Sequence, residues 1–246
     1  MESQQQQKPD ITTFQILETT LYTPDQGVAL LDAHLARMKQ SAQAIADAYA
    51  APHVFPVGDA CTAAGVVAQV TAKLGDSADV PHRVRLLLGH DGRLDVQVAA
   101  EKEASGPARL VLDRRATDGA SVFVQCKTTF RPMYAAAAAR LGAEHEGAHV
   151  LLYNGRGEIT EAHIANVAVS VVQPDGSVAL VTPPLSAGLL AGTMRARLLA
   201  AGRMVEGTVT VAQFAQAASR GLPVYCMNSV RGLYQVTPVV PSGAID

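Results

Sequence analysis

The sequence predicts an α/β (α+β) chain in two domains, and three observations carry that expectation. Strand-like and helix-like segments alternate through the first half. A polar, glycine-containing stretch, Arg114 to Ala120, reads as a linker. The 246 residues are 48% hydrophobic and 17% charged, enough for a substantial core on either side of it. The expected division is a polar, disordered tail over 1–10, a small N-terminal α/β domain over 11–113, the linker over 114–120, and a larger C-terminal domain over 121–246.

Taken in order, Phe14 to Tyr22 reads as a strand, closed by the turn Pro24-Asp25-Gln26-Gly27. Leu31, Leu35, Met38, Ala42, Ile45 and Tyr49 recur at three- and four-residue steps, one helical stripe facing a core, with Arg37 off it. A second helix covers about Cys61 to Leu74. "HRVRLLLGHDGRLDVQV" is a hairpin around Asp91-Gly92. "ARLVLD" is a further strand of the first domain. Beyond the linker, "VFVQ" reads as a strand and "RPMYAAAAARLG" as a helix. Two strands flank Asn154-Gly155-Arg156-Gly157. "ITEAHIANVAVSVV" and "SVALVTPP" meet across Pro174-Asp175-Gly176. "TMRARLLAAG" is a helix with Gly202 as its C-cap, Val211 to Ser219 a short helix, and "VYCM" and "LYQVTPVV" strands.

Composition narrows the function. A net charge of −2 without a basic run, 4% aromatics and no tryptophan argue against a nucleic-acid partner. No apolar run is long enough to span a bilayer, and MESQQQQKPD lacks the apolar stretch of a signal peptide. Cys61, Cys126 and Cys226 are odd in number and far apart. They point to a reduced, cytoplasmic chain without disulfides, with Cys126 a buried neighbour of Lys127.

His145-Glu146-Gly147-Ala148-His149 spells H-E-x-x-H, which on a helix would suggest zinc. The alanine helix is expected to stop at Gly142, however, and Gly147 disfavours a helix. No third ligand stands at a known spacing. The expectation is no metal, with both histidines in a connection.

The chemistry gathers elsewhere. Lys127 in "FVQCKTTFR" ends an apolar run and is either a surface charge or a cleft amine. Glu161 lies in an apolar strand, where an inward carboxylate needs a partner such as a protonated ring nitrogen. Gly188 and Gly192 precede a helix starting near Thr193, a phosphate cradle that is not a Walker loop. "NSVRG" adds Ser229 and backbone donors, and Arg37 can grip a phosphate bidentately. Amine, carboxylate, two anion loops and an arginine together suggest a cofactor with an aldehyde, a ring nitrogen and one phosphate. Pyridoxal 5'-phosphate has all three.

The series "LETT…HLARMKQSA", "KTTFR", "NGRGEITEAHIANV", "TPPLSAGLLAGTMR" and "NSVRG" resembles, in order and spacing, the class IV (fold type IV) pyridoxal-phosphate family over about Phe14 to Val239. The resemblance implies a D-amino-acid aminotransferase-like fold of two domains, with the cofactor in the cleft between them. It also implies a homodimer whose partner chain helps close each site. By resemblance, Lys127 forms the Schiff base, Glu161 partners the pyridine nitrogen, and Arg37, Thr193, Met194 and Ser229 hold the phosphate. Asn166 matches a recurrent asparagine whose role is structural or catalytic.

Within the family the sequence looks most like 4-amino-4-deoxychorismate lyase. "FQILETTLYTPDQGVALLDAHLARMKQSA" is similar to lyase modules fused behind aminodeoxychorismate synthase, an enzyme this chain is expected to serve. The Lys127–Arg131 pair and "NSVRG" are lyase-like as well. Phe130 and Ala191 stand where the family usually has asparagine and proline, which leaves room for a changed substrate pocket. The resemblance implies a lyase that makes 4-aminobenzoate and pyruvate in folate biosynthesis. The alternative is a class IV aminotransferase acting on branched-chain or D-amino acids or related amines. Candidates for substrate carboxylates are Arg131, Arg231, Thr19 and Thr20, each of which equally fits an ordinary surface or strand role. His34 and His163 are expected to pack or to support other residues.

Overall fold

The computed structural model describes residues 8–101 and 108–242. The expected tail over 1–10 therefore lies outside the described residues as far as position 7.

The first half runs β1 (Ile16–Thr23), β2 (Gly27–Val28), α1 (Leu31–Tyr49), α2 (Ala63–Leu74), β3 (His82–Leu88) and β4 (Leu94–Ala100). Its strands form a four-stranded sheet in the order β2-β1-β3-β4, with Glu18 opposite Leu86 and Leu21 opposite Arg83. Strand alternation gives this sheet two faces. Ile16, Val84, Leu86 and Val96 join Leu35, Met38 and Ile45 of α1 and Val66 and Val70 of α2 in one core. The apolar stripe read from the sequence is the face α1 presents there. Thr62 accepts from the Gly65 amide at 3.1 Å and caps α2.

The second half runs β5 (Ala108–Leu112), α3 (Val122–Gln125), α4 (Pro132–Ala139), β6 (His149–Tyr153), β7 (Ile159–Ala162), β8 (Asn166–Val172), β9 (Val178–Thr182), α5 (Thr193–Ala200), β10 (Val205–Glu206), α6 (Val211–Ser219), β11 (Val224–Asn228) and β12 (Gly232–Val239). Its strands form an eight-stranded mixed sheet, β10-β9-β8-β11-β12-β5-β6-β7. One face packs a second core around Leu110, Leu151, Ile159, Val167, Phe214 and Val236.

Four expectations need correction. The "ARLVLD" strand, β5, does not belong to the first sheet. It lies between β12 and β6, parallel to both, with Leu110, Val111 and Leu112 all buried as a central parallel strand requires. The passage between sheets thus falls between β4 and β5. The expected linker instead packs along the second half, where the Thr117 amide donates to the Tyr153 carbonyl at 2.7 Å. "VFVQ" is a helical turn, α3, begun by Ser121, whose hydroxyl accepts from the Phe123 amide at 3.3 Å. Packing overrides β-propensity there, since Phe123 sits edge-on to Phe14 with ring centroids 5.2 Å apart. "ITEAHIANVAVSVV" is two strands, β7 and β8, broken at His163 to Ala165.

The lysine segment joins the halves. The Leu17 amide donates to the Lys127 carbonyl and the Thr129 amide to the Gln15 carbonyl, each at 2.9 Å. Phe123, Cys126 and Phe130 pack into the first core. Lys127 is thereby fixed to β1 while its chain continues into α4 of the second half.

Candidate active site

A cavity of about 310 Å³ lies where β1, α1 and β3 meet β7, α5 and the β11–β12 turn. Lys127, Glu161, Arg37, Thr193, Met194, Ser229, Arg131, Thr19 and Arg231 all line it. These site residues read from the sequence therefore open on one space. The candidate Thr20 does not. Strand alternation turns it to the opposite face, where its hydroxyl donates to the Ala29 carbonyl at 2.5 Å.

Lys127 is half-buried and lines the cavity rather than the outer surface. Desolvation there first, and then the charge of Arg37, push its amine down to about 8. Glu161, only 4% exposed, sits at the wall formed by β7 and β8. Its Oε1 accepts from the Tyr134 hydroxyl at 2.6 Å and its Oε2 from Asn166 Nδ2 at 3.1 Å. Burial pushes its carboxyl up to about 7. Among the described residues no cation bonds to it, so it is a buried acid open to a partner from the cavity.

Asn166 ties this acid to the glycine loop, because its Nδ2 also donates to the Leu190 carbonyl at 3.0 Å. A Cβ on Gly192 would stand 1.8 Å from Asn166 Oδ1, so only glycine permits this approach. Gly188, at φ +94°, closes against Gly119, where a Cβ would meet the Gly119 Cα at 2.7 Å. Asn166 therefore positions Glu161 and the loop together.

The opposite end is built for an anion. Gly192 precedes α5, no side chain caps that helix, and Thr193 and Met194 of its first turn line the cavity. The Thr193 and Ser229 hydroxyls lie 2.6 Å apart. Arg37 proves buried although it lies off the apolar stripe, because the 189–193 loop covers that side of α1. Its Nη1 donates to the Ala191 carbonyl at 2.9 Å, while Nε and Nη2 grip Glu18 at 2.9 and 2.5 Å. Burial alone would raise the Glu18 carboxyl, but Arg37, joined by His34, holds it below the usual range.

Arg131 donates to the His163 carbonyl at 2.6 Å and stacks 3.9 Å over the Tyr134 ring; Arg231 stacks 3.9 Å over Tyr234. Arg83 also lines the cavity and pairs with Glu101 at 2.8 Å. His163 accepts from the Val150 amide through Nδ1 at 3.1 Å. Burial, then His149, push it down to about 4, so it is a neutral supporting ring. His145 closes a 3-10 turn and His149 opens β6, so the H-E-x-x-H pair shares no helical face.

Sequence reasoning missed Glu18, His34 as its partner, Tyr134 and Arg83. Glu18 carried the signal that marked Glu161, a lone acid in an apolar strand. Tyr134 carried none, because its bond to Glu161 crosses 27 residues.

These residues fit a phosphate-bearing ring with an aldehyde and a basic nitrogen. The amine and the acid face one cavity, and anion donors stand at one end. Comparison with known proteins agrees. The family described as amino-transferase class IV matches residues 15–239. A Schizosaccharomyces pombe protein named "Putative aminodeoxychorismate lyase" is 34% identical over 195 residues, 78% of this chain and 75% of that protein. The crystal structure of a "Putative amino-acid aminotransferase" from Mesorhizobium loti aligns with a TM-score of 0.72 at 28% identity, over 92% of this chain and 100% of that one. A hypothetical aminotransferase from Mycobacterium tuberculosis in its PLP-bound form shares the fold, with a TM-score of 0.70 at 20% identity over 92% of this chain and 81% of that one.

Proposed function

The chain belongs to the amino-transferase class IV family, and on that premise we propose that it is a pyridoxal-phosphate-dependent lyase converting 4-amino-4-deoxychorismate to 4-aminobenzoate and pyruvate. The observation that carries the cofactor assignment is the pairing, across one cavity, of a half-buried amine with a buried carboxylate that has no cation bonded to it among the described residues. The lyase assignment rests on likeness to the fission-yeast protein.

When bound, pyridoxal phosphate supplies an aldehyde that captures the substrate amine and a ring that accepts an electron pair. The chain supplies the rest. Arg37, Thr193 and Ser229, with the amides opening α5, anchor the phosphate. Glu161, held by Tyr134 and Asn166, keeps a proton on the ring nitrogen. Lys127, displaced by the substrate amine, takes the proton from the amine-bearing carbon. An amine ionising near 8 stands close to neutral pH, where a base works best. The enolpyruvyl group then leaves from the adjacent carbon, Lys127 or another acid protonates it, and aromatisation of the remaining ring drives the reaction forward. Arg131, Arg231 and Thr19, which line the same cavity, receive the two substrate carboxylates in this reading.

An aminotransferase is the second reading, favoured by the 28% identity to the Mesorhizobium protein. Incubation with aminodeoxychorismate, with and without an amino-acid/keto-acid pair, separates the two. Release of 4-aminobenzoate without any keto acid is the result expected. Pyridoxamine phosphate formed from an amino acid alone, with no 4-aminobenzoate, would overturn the lyase. We further place the enzyme in the cytoplasm as a homodimer, downstream of aminodeoxychorismate synthase. Its cysteines are free and buried, and Ile164 stands 46% exposed at the cavity rim where a second copy would close it.

A further inference from the structure

Behind the anion end runs a buried chain of polar contacts that the chemistry above does not use. Glu18, in the middle of β1, is fully buried and serves two partners on α1. Arg37 takes both of its oxygens, and His34, one turn earlier on the same helix, places Nδ1 2.6 Å from Oε2. The other ring nitrogen of His34, Nε2, lies 3.3 Å from Thr193 Oγ1, and Thr193 Oγ1 lies 2.6 Å from Ser229 Oγ. The chain thus runs from the first sheet, through α1, to both anion-binding hydroxyls of the second half. His34 is fully buried, and Thr193 and Ser229 are nearly so.

Counting hydrogens along this chain gives two states. Ionised Glu18 only accepts, so His34 Nδ1 carries a hydrogen. If the ring is neutral, Nε2 is an acceptor. Thr193 must then donate to it, and Ser229 must donate to Thr193. Both hydroxyl hydrogens are consumed, and only lone pairs are left for a phosphate oxygen that needs donors. If His34 is protonated, Nε2 donates to Thr193. The Thr193–Ser229 contact then consumes one hydroxyl hydrogen and frees the other toward the cavity. An arriving phosphate selects this second state, because only there does the hydroxyl pair offer it a hydrogen. Glu18 faces His34 from β1, Arg37 stands one turn along α1, and Lys127 feels the charges of Glu18 and Arg37. From α5 His34 meets the uncharged Thr193, which in turn meets Ser229 of the β11–β12 turn.

We propose that Glu18 and His34 are positioning residues for the phosphate: as the anion binds, His34 takes up a proton, Glu18 steadies the ring as a double donor, and one hydroxyl of the Thr193–Ser229 pair turns toward the anion. Phosphate binding is then coupled to uptake of a proton by a histidine that never touches the ligand. The inference rests on the cofactor reading above.

The test is calorimetric titration of cofactor-free protein with pyridoxal phosphate, and separately with pyridoxal, in buffers of different ionisation enthalpy. The comparison is between the parent and His34→Gln, whose amide donates to Thr193 at any pH. The parent is expected to take up about one proton per site more than His34→Gln with pyridoxal phosphate, and the same number with pyridoxal. Glu18→Gln is expected to weaken pyridoxal phosphate roughly tenfold or more, as loss of a charged hydrogen bond does, while leaving pyridoxal unchanged. Equal proton uptake by parent and His34→Gln overturns the inference while leaving the cofactor reading intact, and it does so even if Glu18→Gln fails to fold. A parent that binds neither compound overturns both.

Discussion

Replacing Glu161 by glutamine should stabilise the cofactor-free protein at alkaline pH while disabling the enzyme. The carboxyl ionises at about 7 in its buried site, against an ordinary 4.5. A group with a raised folded pKa binds more protons folded than unfolded between those values. Its contribution is therefore fully present below pH 4.5, fades as pH rises toward 7, and stays lost above. The ionised acid costs the folded state roughly 1 kcal/mol at pH 5 and about 3 kcal/mol at pH 8. Glutamine removes that pH-dependent cost. It places an amide where one oxygen now accepts from Tyr134 or Asn166, which costs about 1 kcal/mol at every pH. Urea unfolding of the stripped protein at fixed concentration should show the variant gaining about 2 kcal/mol on the parent between pH 5 and pH 8. Parallel stabilities across that range would mean that Glu161 ionises without penalty, and the argument that it awaits a cation from the cavity would fail. With cofactor present the sign reverses, because glutamine cannot keep the ring nitrogen protonated, and turnover should largely vanish.

Arg37→Ala strips a fully buried Glu18 of its main partner and should cost about 3–5 kcal/mol besides weakening cofactor retention; an unchanged urea midpoint would show that the pair is not intact. Tyr134→Phe should keep the cofactor, destabilise the protein by about 1–3 kcal/mol and move the acidic limb of the activity profile upward, because the lost bond lowers the Glu161 carboxyl; a pH profile identical to the parent's would contradict this. Gly192→Ala should reduce cofactor affinity by forcing apart Asn166 and the loop, and retention on dialysis equal to the parent's would count against the close approach. The rate of cofactor capture should rise with pH and level off above about 8, the pH where Lys127 loses its proton; a rise that continues to the pKa of free lysine, about 10.4, would show an exposed amine.

The elements legible in the sequence are those whose signals are local. The stripe from Leu31 to Tyr49 gives α1. Asp91-Gly92 gives the β3–β4 hairpin. The bounds of α6 follow from Thr210 and Gln213, which form a capping box. What stayed hidden depends on partners distant in the chain. β5 finds its neighbours in β6 and β12, the latter more than a hundred residues on, so nothing near Ala108 says which sheet it joins. Arg37 falls off the apolar stripe, and periodicity alone cannot show that the Leu189 to Thr193 loop buries it. "VFVQ" has strand composition but is wound by Ser121 and by the rings of Phe14 and Phe130. The candidate site was more legible than the fold around it, because a lysine, an acid and glycine loops are unusual in apolar runs. Glu18 shows the limit. The same signal marked it, but its partners are Arg37 and His34 of its own chain rather than a ligand.

The most direct test of the central claim is to add pyridoxal phosphate, reduce with borohydride, digest, and map the labelled peptide. The structure predicts a single pyridoxyl group, on Lys127, with label lost in Lys127→Ala. Label spread over exposed lysines such as Lys39 and Lys73, or none at all, would contradict it.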